Sequence, residues 1–202
     1  KHRVKTAVEL DASIAPALEA LALPEGYRIE KGGELKSASE AQGALFANMP
    51  LAFAFIVLIL IAQFNSLRKP LIILAVIPLT LIGVSAGLLI TPGAAVSFIG
   101  ILGLLSLAGI IINNAIVLID RIDLERENGT PLNEAIVTGS VKRLRPVVMT
   151  TLTTILGLSP LIVWRDILFY DLAVVVSGGL LIGTVLTLGV VPVLYSLAFP
   201  QK

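Results

Sequence analysis

No cysteine occurs among the 202 residues, His2 is the one histidine, and between Lys69 and Asp120 no residue carries a charge. The missing thiols exclude disulfides, thiolate metal sites and thiol catalysis. A single His, with no close cluster of carboxylates inside an apolar stretch, leaves no metal constellation of the usual kinds, and no cofactor is expected. Lys and Arg (15) nearly balance Asp and Glu (14), for a net charge of +1. That balance argues against a nucleic-acid binder, whose phosphate contacts need a clustered basic surface. No sequence-local triad, phosphate loop or paired carboxylate is present, so the chain does not read as an enzyme.

What is there is apolar: 56% hydrophobic residues, 14% charged and a mean hydropathy of +0.94, unlike an ordinary soluble domain. A helix crosses about 30 Å of hydrocarbon with roughly 20 residues, so the charge-free run is too long for one span, and Thr91-Pro92-Gly93 divides it. Five spans are expected, at 46–65, 70–91, 96–119, 146–164 and 172–198, giving an all-α polytopic membrane protein. Residues 1–44 hold nearly half of the charges and read as soluble α/β material. Val4 to Leu10 alternates as a strand, Asp11 or Ser13 can cap a short helix towards Leu21, and Tyr27 to Glu30 is a second strand candidate. The chain starts at Lys1 without a Met or a secretory signal pattern, and a fragment of a longer polypeptide is expected.

Short loops rich in Lys and Arg stay cytoplasmic. Arg68, Lys69, Arg121, Arg126, Lys142, Arg143, Arg145 and Lys202 fall on one side, whereas Arg165 alone of the short-loop charges falls on the other. The expected orientation puts the soluble start outside the cytoplasm and the C-terminus inside. Within the loop 120–145, Thr130-Pro131 opens a helix, and Leu132, Ala135 and Ile136 share a face that predicts a short helix lying on the membrane surface. Gly100, Gly103, Ser106 and Gly109 are small residues at every third position, and Gly83/Gly87 and Gly179/Gly183 are spaced as GxxxG, where backbones approach closely.

Asn113 and Asn114 are the polar residues in the middle of the third span. They lie about 100° apart around a helix. They read either as interhelical hydrogen-bonding groups or as the lining of a polar, protonatable site whose carboxylate comes from another segment, since an amide has no proton to give near neutral pH. Asp120 shares the Asn113 face at the span's end. Arg143 and Thr150 are also seven apart, and so share a face of the fourth span. Arg143 and Arg145 are alternatively anchors for lipid phosphates, and Thr150, Thr151, Thr153 and Thr154 alternatively bond back to their own helix.

Gly109-Ile-Ile-Ile-Asn-Asn-Ala-Ile-Val-Leu-Ile-Asp120, with Lys142-Arg-Leu-Arg-Pro-Val-Val-Met-Thr150 and Leu156-Gly-Leu-Ser-Pro-Leu161, resembles the C-terminal membrane half of resistance-nodulation-division exporters. Pro192-Val-Leu-Tyr195 is similar to the family's last helix, and Leu23 to Tyr27 with Gly32-Gly33-Glu34 to the end of its second periplasmic loop. The resemblance implies helices eight to twelve of twelve, preceded by a porter-domain remnant. It further implies a trimeric inner-membrane proton antiporter of the multidrug type, exporting hydrophobic or amphiphilic compounds with a periplasmic adaptor and an outer-membrane channel. In the drug exporters, paired aspartates on helix four meet a lysine on helix ten, with an arginine and a threonine of helix eleven nearby. Arg143 and Thr150 match the last two, Asn113 stands at the lysine position, and Asn114 matches the amide after it. A lipid exporter, a protein-translocation auxiliary and a non-transporting scaffold with a degenerate relay are the rival expectations.

Overall fold

The structure, a computed structural model, describes residues 13–18 and 34–199. The strand candidates at 4–10 and 27–30 lie outside the described residues, which contain helices and no strand. A short helix α1 (residues 13–18) falls where the Ser13 capping signal predicts one. Five long helices follow: α2 (Glu34–Phe64), α3 (Arg68–Ile90), α4 (Phe98–Glu127), α5 (Leu132–Val163) and α6 (Tyr170–Ala198). Each is long and apolar enough to cross a membrane. In hydrocarbon every backbone N–H and C=O must be satisfied internally, and helices do so within one segment. By its contacts the chain forms two units, Lys1–Phe55 with α1 and most of α2, and Ile56–Lys202 with the end of α2 and the other helices.

Helix α6 holds the centre of the second unit and packs on α3, α4 and α5. Of its most apolar stretch 56% is buried, against 33% for α3, 28% for α4 and 11% for α5. Two glycine pairs explain the closeness of α3 and α6. A Cβ on Gly83 would lie 2.7 Å from the Gly178 carbonyl oxygen, and one on Gly178 would lie 2.9 Å from both Gly83 O and Gly87 Cα. Gly87 faces Gly178 Cα in turn, at 3.1 Å. Without an aqueous driving force between helices, such backbone contact and its dispersion energy hold the pair together. Gly179 receives the Leu107 side chain of α4, Gly183 faces Thr80 and Ile111, and Gly103 abuts Leu172. Gly100 lies at the start of α4, near Ala95 O and Asp171 Cβ. Gly109 has nothing within 4 Å, and so takes no part in packing among the described residues.

Three boundaries differ from the sequence expectation. Helix α2 begins at Glu34, well ahead of residue 46, because Lys36, Glu40, Ala41 and Gln42 are good helix formers that continue the apolar span backwards. Helix α4 runs on to Glu127 through its charged end, with Arg126 in the last turn complementing the helix dipole, and stops before Gly129 at φ +86°. The separate surface helix is not found. Leu132, Ala135 and Ile136 are the first turns of α5, which continues through Pro146 to Val163. Their apolar face is buried against protein instead of lipid headgroups, since Gly139 lets α5 approach Ile122 of α4, to 3.0–3.1 Å from where a Cβ would stand.

Replacing Gly178 with Val in the full-length protein is expected to destabilise it by about 1–3 kcal/mol through overpacking, read as a lowered unfolding midpoint in detergent.

Candidate functional site

The packing of α4 on α6 decides which of its side chains stay open. Leu107, Ile111, Ala115, Leu118, Ile119 and Ile122 are buried along one stripe. The opposite stripe, Ser106, Gly109, Asn113 and Asp120, is exposed. Asn113 therefore points away from the core of this chain. Asn114 is half-buried, and its Nδ2 is shielded from solvent with no hydrogen-bond partner. A buried N–H donor left unpaired costs about 1–3 kcal/mol, so this amide asks for an acceptor.

On α5, Arg143 follows Gly139 and precedes Val147, both buried, and is itself half-buried, with its Nε shielded and unpaired. Thr150 is exposed, and its hydroxyl donates to Val147 O at 2.9 Å. Thr153 and Thr154 likewise donate to Thr150 O, at 3.0 and 2.8 Å. These three hydroxyls bond back to their own helix, the blander of the two sequence readings. Among the described residues no hydrogen bond joins Asn113, Asn114, Arg143 and Thr150 to one another. They are four polar groups on two neighbouring helices, not an assembled constellation.

Two polar groupings escaped the sequence reading. Thr151 of α5 and Thr184 of α6, both buried, share a hydrogen bond of 2.8 Å. Nothing marked Thr151 off from its three neighbouring threonines, because the choice depends on which face of α5 meets α6. The larger grouping joins α3, α4 and α6 at the basic end. Lys69 Nζ pairs with Asp123 Oδ2 at 2.7 Å. Tyr195 Oη, on a fully buried side chain, donates to Asp123 Oδ1 at 2.6 Å and accepts from Arg126 Nη1 at 3.0 Å. Beside it, one oxygen of buried Glu125 takes both Arg121, at 2.6 Å, and Lys142, at 2.7 Å, tying α4 to α5. The signal available in the sequence was the charge pattern Asp120-Arg-Ile-Asp-Leu-Glu-Arg-Glu127, which continues the α4 helical period. At the other end Asp171 Oδ1 accepts from Ala95 N at 3.1 Å and Tyr170 Oη donates to Pro92 O at 3.1 Å, holding the α3–α4 turn against the start of α6.

Five apolar helices, of which α3 to α6 are sealed at glycines and α6 is pinned by polar contacts at both ends, define a polytopic membrane segment with an open polar stripe on α4. Residues 4–198 match the AcrB/AcrD/AcrF family, and the chain belongs to that family of resistance-nodulation-division transporters. It is 34% identical over 190 residues to the swarming motility protein SwrC of Bacillus subtilis, covering 92% of this chain and 18% of the relative. It is 35% identical over 179 residues to the cobalt-zinc-cadmium resistance protein CzcA of Cupriavidus metallidurans, covering 87% and 17%. A crystal structure of a heavy metal efflux pump superposes on 97% of this chain and 20% of its own, with a TM-score of 0.73 and 29% identity. The chain thus spans about a fifth of the length of these proteins. The resistance-nodulation-division resemblance holds, while these relatives include a metal-resistance protein and a heavy metal efflux pump, so membership does not single out the multidrug branch.

Tyr195→Phe in the full-length protein removes a donor to Asp123 and an acceptor for Arg126, and an unfolding midpoint lowered by the equivalent of about 1–3 kcal/mol is expected. Lys142→Gln, on a side chain 48% exposed, is expected to cost no more than about 1 kcal/mol. A double-mutant cycle of Thr151→Val and Thr184→Val should give a coupling near 0.6 kcal/mol, the average for such bonds inside membranes.

Proposed function

We propose that the chain is the helix-eight-to-twelve portion of a proton-coupled exporter of the bacterial inner membrane, with its N-terminal segment periplasmic and its C-terminus cytoplasmic. The observation that carries this reading is the open stripe of α4. A helix of this apolarity exposes Asn113 on that stripe and holds the Asn114 amide unpaired beside it. Polar groups at membrane depth face protein or a water-filled cavity. The partner we infer is a carboxylate on a helix of the remaining four-fifths of the protein. Arg143 and Thr150 lie on the adjacent α5 and complete the relay region. Transport then proceeds without covalent catalysis, each charge moved through 100 mV supplying about 2.3 kcal/mol. Assembly as a trimer with a periplasmic adaptor and an outer-membrane channel belongs to this reading of the whole protein.

For the cargo we propose hydrophobic or amphiphilic compounds, on the match of Arg143 and Thr150 to the drug-exporter pattern. The likeness to CzcA and to a heavy metal efflux pump favours a second reading, divalent metal cations. Proteoliposomes of the full-length protein with a pH-sensitive dye inside distinguish the two. Proton movement started by an amphiphilic dye supports the first, and proton movement started by Co²⁺ or Zn²⁺ alone supports the second. No proton movement with either would reject coupled export.

The Asn113 position gives a signed prediction. With an amide there, a facing buried carboxylate lacks a cation to stabilise its charged form, and desolvation raises its pKa. Asn113→Lys supplies that cation, lowers the facing pKa and should move the pH optimum of transport to lower pH. An unchanged profile overturns the assignment.

A further inference from the structure

We propose that the outward groove between the basic ends of α3 and α6 binds an anionic phospholipid, with Arg68 taking the headgroup phosphate and the groove holding the first part of one acyl chain. The groove is open along its length, has a volume of about 650 Å³ and is lined by Leu71, Ile72 and Ala75 of α3 and by Leu194, Leu197 and Ala198 of α6, with Arg68 at its mouth. From Arg68 to Ala75 the helix rises about 10 Å. That length seats the upper part of an acyl chain and leaves the remainder in the bilayer.

Charge at the mouth selects the headgroup. Arg68 is exposed and is held in place by a 3.0 Å bond from Nη1 to Ala198 O and by the Phe199 ring, 5.9 Å away. Arg126 lies 5.7 Å from the same ring. The neighbouring Lys69 is committed to Asp123, whereas no carboxylate among the described residues pairs with Arg68 or Arg126. Helix α3 begins at Arg68 with no acidic residue in its first turn, so the positive end of its dipole adds to the two guanidinium groups. An unneutralised guanidinium and a helix N-terminus at the head of an apolar groove, with a second guanidinium against the same Phe199 ring, complement a phosphodiester with an acyl chain below it. An acyl chain gains little by leaving lipid for an apolar groove, so the discrimination lies in the headgroup. This inference is independent of proton coupling and of the cargo.

The test uses the full-length protein in lipid nanodiscs with Trp introduced at the exposed groove wall (Leu197→Trp), quenched by brominated phosphatidylglycerol or brominated phosphatidylcholine of identical chains. Half-maximal quenching is expected at about fivefold lower mole fraction of the anionic lipid for one arginine near the surface. Arg68→Gln in the same background should remove that preference, and Ala75→Phe, which fills the groove, should weaken quenching by both lipids. Equal quenching by the two lipids before Arg68 is changed overturns the proposal. So does a preference that survives Arg68→Gln, or a protein segment seated in the groove in a structure of the full-length protein. Should Arg68→Gln fail to fold, the comparison of the two lipids on Leu197→Trp alone decides.

Discussion

The contact of Gly83 and Gly87 with Gly178 is the constraint from which the arrangement of α3, α4 and α6 follows. With the two backbones this near, α6 sits at the centre, Gly179 next to it admits Leu107, and the Leu107–Ile122 stripe of α4 is committed inward. Helix geometry then leaves no freedom for the other side of α4: Ser106, Gly109, Asn113 and Asp120 must face out. Three glycines, at positions with no catalytic or binding chemistry of their own, thereby set the direction of the polar stripe on which the functional reading depends.

Polar groups in this chain divide into two kinds by what they have to bond. At the basic end, Lys69, Asp123, Tyr195 and Arg126 satisfy one another across three helices, and Arg121 and Lys142 converge on Glu125. Such a network, partly in contact with solvent, fixes helix ends relative to each other and serves position. Asn114 Nδ2 on α4 and Arg143 Nε on α5 are shielded and have nothing to bond, as are Arg121 Nε and Ser140 Oγ at the basic end. Unfinished polar groups at helix surfaces fit a chain that is about a fifth of its relatives' length.

Much of this was legible in the sequence, and for a physical reason. Apolar runs of membrane length, broken at Thr91-Pro92-Gly93 and at Asn65, report helices because no other open structure satisfies its backbone in lipid. The GxxxG spacings at Gly83/Gly87 and Gly179/Gly183 did not say which helices pair, and Gly83 and Gly87 meet α6 at Gly178, one residue before the second spacing. What stayed hidden is what depends on helix rotation. Leu132, Ala135 and Ile136 carry the same amphipathic pattern whether they meet headgroups or the end of α4, and only Gly139 against Ile122 decides it. Thr151 is indistinguishable from Thr150 until α6 brings Thr184 to it. Asn113 and Asn114, adjacent in sequence, differ in fate by the 100° between them.

The central claim is that the Asn113 stripe of α4 is covered by protein or water in the whole transporter, not by lipid. A direct measurement is a nitroxide attached through Asn113→Cys to the full-length protein, any cysteine outside this chain being replaced first, with its collision rates for dissolved oxygen and for a polar nickel complex read by electron paramagnetic resonance. The account predicts a low oxygen collision rate, that of a packed interface or an aqueous pocket. An oxygen rate as high as that of the bilayer's acyl-chain region, with the nickel complex excluded, would show Asn113 in lipid and contradict it.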